Sequence, residues 1–554
     1  MAEDVLPAPD KPSWRFPGTF WIANGAELCE RAAYYGMFIT LVRYLNEMVG
    51  FSDVRALTLA GLFSSILYLL PTFMGIMADK IGFKRALMLA FALLTAGYAL
   101  LGLFQFKITA VLALVVIMFG GAVIKPVISG TAAKCSTDAN RARAMSIFYM
   151  VVNIGSFSGK FLAGDLNDRL GLQYINYYAA GMAFAAFILV AGFYRNPDTR
   201  GIGKTVSQAL RGLFKVMGNF RFLSLILIVA GFWAIQGQLY GLMPTYMERL
   251  IGPGTKPEWL ANINPAVVVL LVVPITHFVR NFKPENAIGI GLFIIPFTAL
   301  VIALSPVLQS LTGLSIGGSI TTMVCIGVAL QGLAECFLSP KFLEYASKQA
   351  PEGEVGLYLG YQHLTTFFAW LFGFILTGYL LNFFCPDPLT LPKKDRRQWR
   401  EAIDPGYMFV SDLVPEDEVE QFVFGDGLRE LFREHGMVPA EPFIVKPHKT
   451  KKNVWSVQAG EKTYVLESDE IKSEELAESL GEDHPPMVEI VVSSDSGIRA
   501  GPRGELPKVY DRAHWSWYAF TIVGVAAFIA LLIFKYVTNA IDRRTAAETD
   551  TTVP

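Results

Sequence analysis

Apolar stretches of bilayer length recur along this chain, and no other feature limits its fold so tightly. A helix crossing hydrocarbon needs about 20 mostly apolar residues. By that rule spans fall at 18–49, 55–79, 84–105, 108–134, 142–167 and 174–194. They resume at 221–250, 261–280, 285–306, 315–347, 355–384 and 515–538. Proline inside several of them (Pro71, Pro126, Pro244, Pro274, Pro296, Pro340) suits bundled membrane helices and argues against soluble ones. Charged residues make up 17% of the chain and the mean hydropathy is +0.41. Soluble domains carry about a quarter charged residues, so the balance leans the same way.

Basic residues set the expected orientation. Lys80, Lys84 and Arg85 follow the second span, Lys134, Arg141 and Arg143 the fourth, and Arg195, Arg200, Lys204, Arg211, Lys215 and Arg221 fill or border the stretch after the sixth. Loops of the other parity carry fewer, such as Lys107 and Arg169. Both termini are therefore expected in the cytoplasm of a multi-pass cell-membrane protein. The acidic, proline-bearing segment Met1–Lys11 lacks the basic start of a leader, so no cleaved signal peptide is expected. No basic domain or stripe points to nucleic acid.

The expected fold is all-α: twelve transmembrane helices in two six-helix bundles. Residues 1–194 form the first bundle, 195–220 a cytoplasmic linker, 221–384 helices seven to eleven, and 515–554 helix twelve with a tail. Two such halves suggest a secondary transporter with its site between them. Residues 385–514 are too polar to span. They read as a small mixed α/β extracytoplasmic insertion, with a helix near Glu416–Glu434 and strands at Thr463–Leu466 and Val488–Val492. This segment shows no nucleophile–base pattern, metal spacing or phosphate loop, so an enzyme is not expected. It is the part of the chain expected to meet an extracytoplasmic partner. The five cysteines, Cys29, Cys135, Cys325, Cys336 and Cys385, show no metal spacing or paired framework.

The chemistry concentrates in the first span. Glu27, Glu30, Arg31, Tyr34 and Tyr35 share one helical face by their spacing. Ionisable groups at membrane depth are costly and tolerable only toward a bundle interior or wet cavity, where they mark proton or substrate pathways. The two carboxylates repel and Arg31 attracts both, so the set can exist as a neutralised pair plus one exchangeable proton. A proton arriving there would loosen a salt bridge, with Lys125 as the partner across the cavity, and bias alternating access. The plainer reading is a static ion-pair network packing the first span on the fourth.

The turn Gly75-Ile76-Met77-Ala78-Asp79-Lys80-Ile81-Gly82-Phe83-Lys84-Arg85 resembles the G-x-x-x-D-[RK]-x-G-x-[RK]-[RK] loop of the major facilitator superfamily, which implies gating roles for Asp79 and Arg85. An acid at a helix end can dock on the positive N-terminus of a facing helix. The first-span cluster resembles the E-x-x-E-R-F-x-Y-Y motif of the proton-dependent oligopeptide transporter family, with Ala32 in place of Phe. Lys125-Pro126, the run Phe148–Phe157, Asn264-Pro265 and the run Glu335–Pro340 are similar to further family motifs, in order along the chain. The resemblance implies proton coupling through Glu27, Glu30, Arg31 and Lys125, with protons as the coupling ion and no other cofactor. It implies a small-molecule substrate bound among Tyr34, Tyr35, Lys125, Tyr149, Asn153, Gln236 and Glu335, in a chain expected to act as a monomer.

Departures from the pattern matter too. A second arginine, where family members grip a peptide carboxylate, is Phe38 here, and the seventh-span acid is replaced by Gln236. Lys160 stands where the family often has Pro. It is a candidate anion contact, or else the partner of Asp165. His363 sits in the eleventh span. These changes leave three readings: import of di- or tripeptides or peptide-like metabolites, transport of a non-peptide organic anion in either direction, or a receptor or scaffold acting through the insertion.

Overall fold

The structure is a computed structural model that describes residues 15–137, 140–196, 206–252, 255–350, 358, 360–403, 444–447, 454–459, 462–467 and 505–550. The first span is α1 (Gly18–Arg43), which runs on through a π turn at Tyr44–Met48. The second is a pair, α2 (Asp53–Leu69) and α3 (Pro71–Ile81), bent by 54°. Pro71 falls at the bend, where its ring and missing N–H interrupt the helical ladder. Next come α4 (Phe83–Leu103), α5 (Lys107–Lys134), α6 (Arg141–Leu170) and α7 (Leu172–Phe193). The linker contains a helix of its own, α8 (Val206–Gly218).

The seventh span breaks at Gly237 into α9 (Phe220–Gln236) and α10 (Leu242–Ile251). After it come α11 (Pro257–Leu260), α12 (Ile263–Phe278), α13 (Pro284–Ala303), α14 (Ser305–Thr312), α15 (Ile316–Lys348) and α16 (Leu364–Phe384). Then α17 (Lys393–Ile403) opens the insertion and α18 (Trp515–Asp550) closes the chain's bundle. Among the described residues ten helices are long and apolar enough to cross a membrane, and the bent pair makes an eleventh. The first helix, 26 residues long, is hidden from that test by its own chemistry. Any 18-residue window inside it contains Glu27, Glu30 and Arg31 together.

The halves repeat one packing scheme. In the first, α1 lies on α6 and α7 while α4 lies on α5 and α7. In the second, α9 lies on α16 and α18 while α13 lies on α15 and α18. Small residues let the backbones close. A Cβ on Gly159 of α6 would lie 2.3 Å from the Ala32 carbonyl oxygen of α1, and one on Gly155 would lie 2.6 Å from Arg31 Cβ. Ala32 itself is buried in that contact, which explains why a phenylalanine has no room there. The halves meet along α2 and α16, and along α6 with α11 and α12.

Within the insertion, β1 (Ile444–Pro447), β2 (Val454–Ala459) and β3 (Lys462–Glu467) form an antiparallel meander in the order β1-β2-β3. Val445 pairs with Val457, and Val457 with Tyr464. The strand expected at Thr463–Leu466 lies within β3. The helix expected near Glu416–Glu434 and the strand at Val488–Val492 lie outside the described residues. The pieces described here do not support a packed α/β domain: the strands make a ribbon, while α17 docks on the bundle.

Candidate functional site

Side chains from both halves converge between α1, α5, α6, α12 and α15. Glu27 and Glu30 are each about 1% exposed. Arg31 Nε lies 3.2 Å from Glu27 Oε1 and also pairs with Glu30. Glu27 Oε2 is buried with no hydrogen-bond partner. A buried carboxylate oxygen left without a donor is costly. The expected salt bridge from these acids to Lys125 is not formed. Lys125 interacts electrostatically with both carboxylates, but its Nζ rests 5.6 Å from the centre of the Tyr68 ring. Arg31 takes the pairing because it is one helical turn from Glu27 and adjacent to Glu30, whereas Lys125 must reach from another helix.

The facing wall centres on Glu335. Asn264 Nδ2 donates to Glu335 Oε2 at 3.4 Å, and Gln236 also hydrogen-bonds this carboxyl. Gln236 keeps Oε1 buried and unsatisfied, as Tyr34 does its hydroxyl. Tyr35, Tyr68, Tyr149 and Tyr240 lie near enough to Glu335 to interact with its charge. Tyr149 is 47% exposed. Asn153 donates from Nδ2 to the Tyr149 carbonyl at 2.8 Å, one turn back on its own helix. It therefore lies beside the site with its amide donor already engaged.

Phe38, in place of an arginine, is part of an aromatic cluster. It stacks on Tyr34 at 5.3 Å and on Trp370 at 5.3 Å, and meets Phe63, Tyr240 and Phe374. These rings come from α1, α2, α16 and the break in the seventh span, so an apolar plug bridges the halves where a guanidinium is absent. The His363 ring lies 6.0 Å from that of Tyr68, which in turn meets Trp370 edge-on. Lys160 is 1% exposed, and its Nζ donates to the Ala261 carbonyl at 3.3 Å across the α6–α11 seam. It does not pair with Asp165, whose partner is Arg169 at 3.0 Å. Two neighbours tie the same seam: Trp259 Nε1 donates to the Phe161 carbonyl at 3.1 Å and Asn262 Nδ2 to that of Phe157 at 3.2 Å.

At the end of the bundle that carries the insertion, ion pairs join the halves. Arg43 reaches Glu248 at 2.6 Å and Glu258 at 3.5 Å. Arg249 holds Asp53 in a bidentate pair, both contacts at 2.8 Å. At the opposite end Asp79 and Arg85 are exposed. Their turn is made by Gly82 at φ +87°, and the backbone N–H of Lys84 donates to Asn196 Oδ1 at 2.7 Å. Among the described residues Asp79 makes no ion pair.

Over residues 25–321 the chain matches the Major Facilitator Superfamily. The chain belongs to that superfamily. Among its relatives, Multidrug resistance protein MdtH of Cronobacter sakazakii is 24% identical over 317 residues, covering 56% of this chain and 74% of that protein. Dipeptide and tripeptide permease B of Photorhabdus asymbiotica is 32% identical over 191 residues, 34% of this chain and 39% of that protein. A solved structure of the peptide transporter POT in complex with sulfate aligns with a TM-score of 0.57 at 19% identity, over 68% of this chain and 91% of that one. That likeness establishes a shared fold.

For a member of this superfamily, the sequence left several site residues unread. Tyr68, Tyr240 and Trp370 line the centre, and Arg43, Asp53, Glu248, Arg249 and Glu258 lie together at one end. The second set had a signal: charges at the ends of the first, second, seventh and eighth spans. Taken one span at a time, such charges read as ordinary snorkelling ends.

Proposed function

We propose that this superfamily member is a proton-coupled symporter that imports small peptides or peptide-like zwitterions by alternating access. The observation that carries the reading is the buried Glu27–Glu30–Arg31 network, with Glu27 Oε2 lacking a donor and Lys125 held in reserve over Tyr68. Protonation at Glu27 or Glu30 frees Arg31, and Lys125 can then engage the remaining carboxylate. That exchange changes the charge presented to the cavity without breaking α1. Glu335, positioned by Asn264 and Gln236, receives a substrate amino group, and Tyr34, Tyr35 and Tyr149 form polar walls. The kinship with a dipeptide and tripeptide permease over part of the chain supports the substrate class.

The orientation belongs to the same reading: both termini in the cytoplasm, the insertion outside, and the Arg43 and Arg249 pairs as the outer gate. Asp79 and Arg85 then lie free at the cytoplasmic rim, where a gate on that side would engage them when the outer one opens. The chain works as a monomer, with protons as the coupling ion and the insertion available to an external partner.

A second reading is favoured by the aromatic plug at Phe38. With no arginine there to hold a carboxylate, Lys160 is the remaining buried cation near Glu335, and the substrate becomes a non-peptide organic anion. Uptake of labelled dialanine into proteoliposomes, with and without an inward proton gradient, separates the two. Gradient-driven uptake supports peptide symport. No uptake by a folded protein transfers support to the anion.

A further inference from the structure

The insertion does not hang from the bundle on loose ends. Its first root, Cys385 to Ile403, lies on the end of α10. Trp399 Nε1 donates to the Arg249 carbonyl at 2.8 Å, and Arg249 Nη1 donates to the Cys385 carbonyl at 2.6 Å. Thus one residue is held by the root at both its backbone and its guanidinium. The end of α17 seats on Gly252, where a Cβ would lie 2.8 Å from Ile403 Cγ2. That glycine sits at φ +111°, so the position admits glycine on two counts. The second root is tied to the first: the Tyr510 hydroxyl donates to the Pro386 carbonyl at 2.9 Å, and Gln398 Nε2 to that of Glu505 at 3.0 Å. Between roots and bundle lies a cavity of about 210 Å³ whose lining includes Arg43, Asp53, Glu248, Arg249 and Trp399.

We propose that Trp399 is a positioning residue for the ion-pair gate: with the Cys385 carbonyl it holds Arg249 where Asp53 can meet it in bidentate fashion. A bidentate pair tolerates little displacement, because both N–H vectors must stay aligned with both oxygens. Any movement of α17 away from α10 withdraws Arg249 from Asp53. The insertion is therefore coupled to the opening of this end, and a load on it reaches the gate through two hydrogen bonds. The proposal rests on the alternating-access reading of these ion pairs.

The native thiol of Cys385 supplies the test. It is fully buried, and the carbonyl of the same residue accepts from Arg249. In nanodiscs, with the other four cysteines replaced by alanine, a water-soluble maleimide reports how often this end opens, whatever the direction of insertion. Asp53→Asn serves as the direct gate-breaking comparison. Trp399→Phe keeps one aromatic ring at the position and removes the N–H together with the five-membered ring that carries it. It should label about fivefold faster than the parent, the factor that one hydrogen bond's net contribution implies, with a smaller fall in unfolding temperature than Asp53→Asn. Parent-like labelling of Trp399→Phe beside fast labelling of Asp53→Asn overturns the positioning role. Slow labelling of Asp53→Asn as well removes the gate reading itself, and the proposal with it.

Discussion

Two ionic networks in this protein are built on opposite principles. The central one, Glu27, Glu30 and Arg31, lies within a single helix and leaves Glu27 Oε2 without a donor. The one at the insertion end spans the halves, and Arg249 there makes two contacts to Asp53 and a third to a backbone carbonyl. An under-satisfied network within one helix can change its charge while the halves stay still. A bidentate pair between the halves must break before they can part. The first suits a coupling site and the second a latch.

The contrast breaks most plainly at Arg249. Replacing Arg249 with alanine strands Asp53 as a buried charge, a change of the kind that costs roughly 3–5 kcal/mol. A large drop in unfolding temperature in detergent is expected, and a drop no greater than that of a surface variant would show that the pair is not buried in effect. Next in size, Gly159→Ala forces α1 and α6 apart, because its Cβ would sit 2.3 Å from the Ala32 carbonyl oxygen. Overpacking of this kind costs about 1–3 kcal/mol. Both driven uptake and exchange should fall together, since the whole cluster is displaced. Lys160→Met removes one seam hydrogen bond and is expected to cost about 1 kcal/mol. Loss of dialanine uptake with stability intact would instead make Lys160 a substrate contact.

The smallest effect on stability belongs to the variant with the sharpest functional prediction. Glu27→Gln preserves shape and leaves Arg31 paired with Glu30, so the unfolding temperature should stay within the range of surface substitutions, roughly ±0.5 kcal/mol. Driven uptake should be lost while substrate exchange persists. Gradient-driven uptake at the parent rate would reduce the cluster to a static tie.

The spans were legible because hydropathy over about 20 residues is a local property. The bent second span departs only by its break at Pro71, and the first is concealed from a simple charge test by the residues that matter most in it. The face shared by Glu27, Glu30, Arg31 and Tyr34 was equally legible, since helical periodicity alone sets it. Arg31 and not Lys125 makes the ion pairs to Glu27 and Glu30, because sequence does not say which of two cations is nearer an acid. Lys160 was offered a partner on its own helix and took a carbonyl on another.

What the sequence by itself determined is the run of apolar spans and the polar stripe on α1, both of which follow from spacing within single helices. Only the tertiary structure decided that Arg43 meets Glu248, 205 residues away, that Phe38 stacks on Trp370, and that Trp399 reaches Arg249. Those partners are set by how the helices of two bundles are brought together and capped by the insertion's roots. The physical reason is range: a helix repeats every few residues and shows in its own stretch of chain, whereas a contact between halves depends on the placement of every span between them.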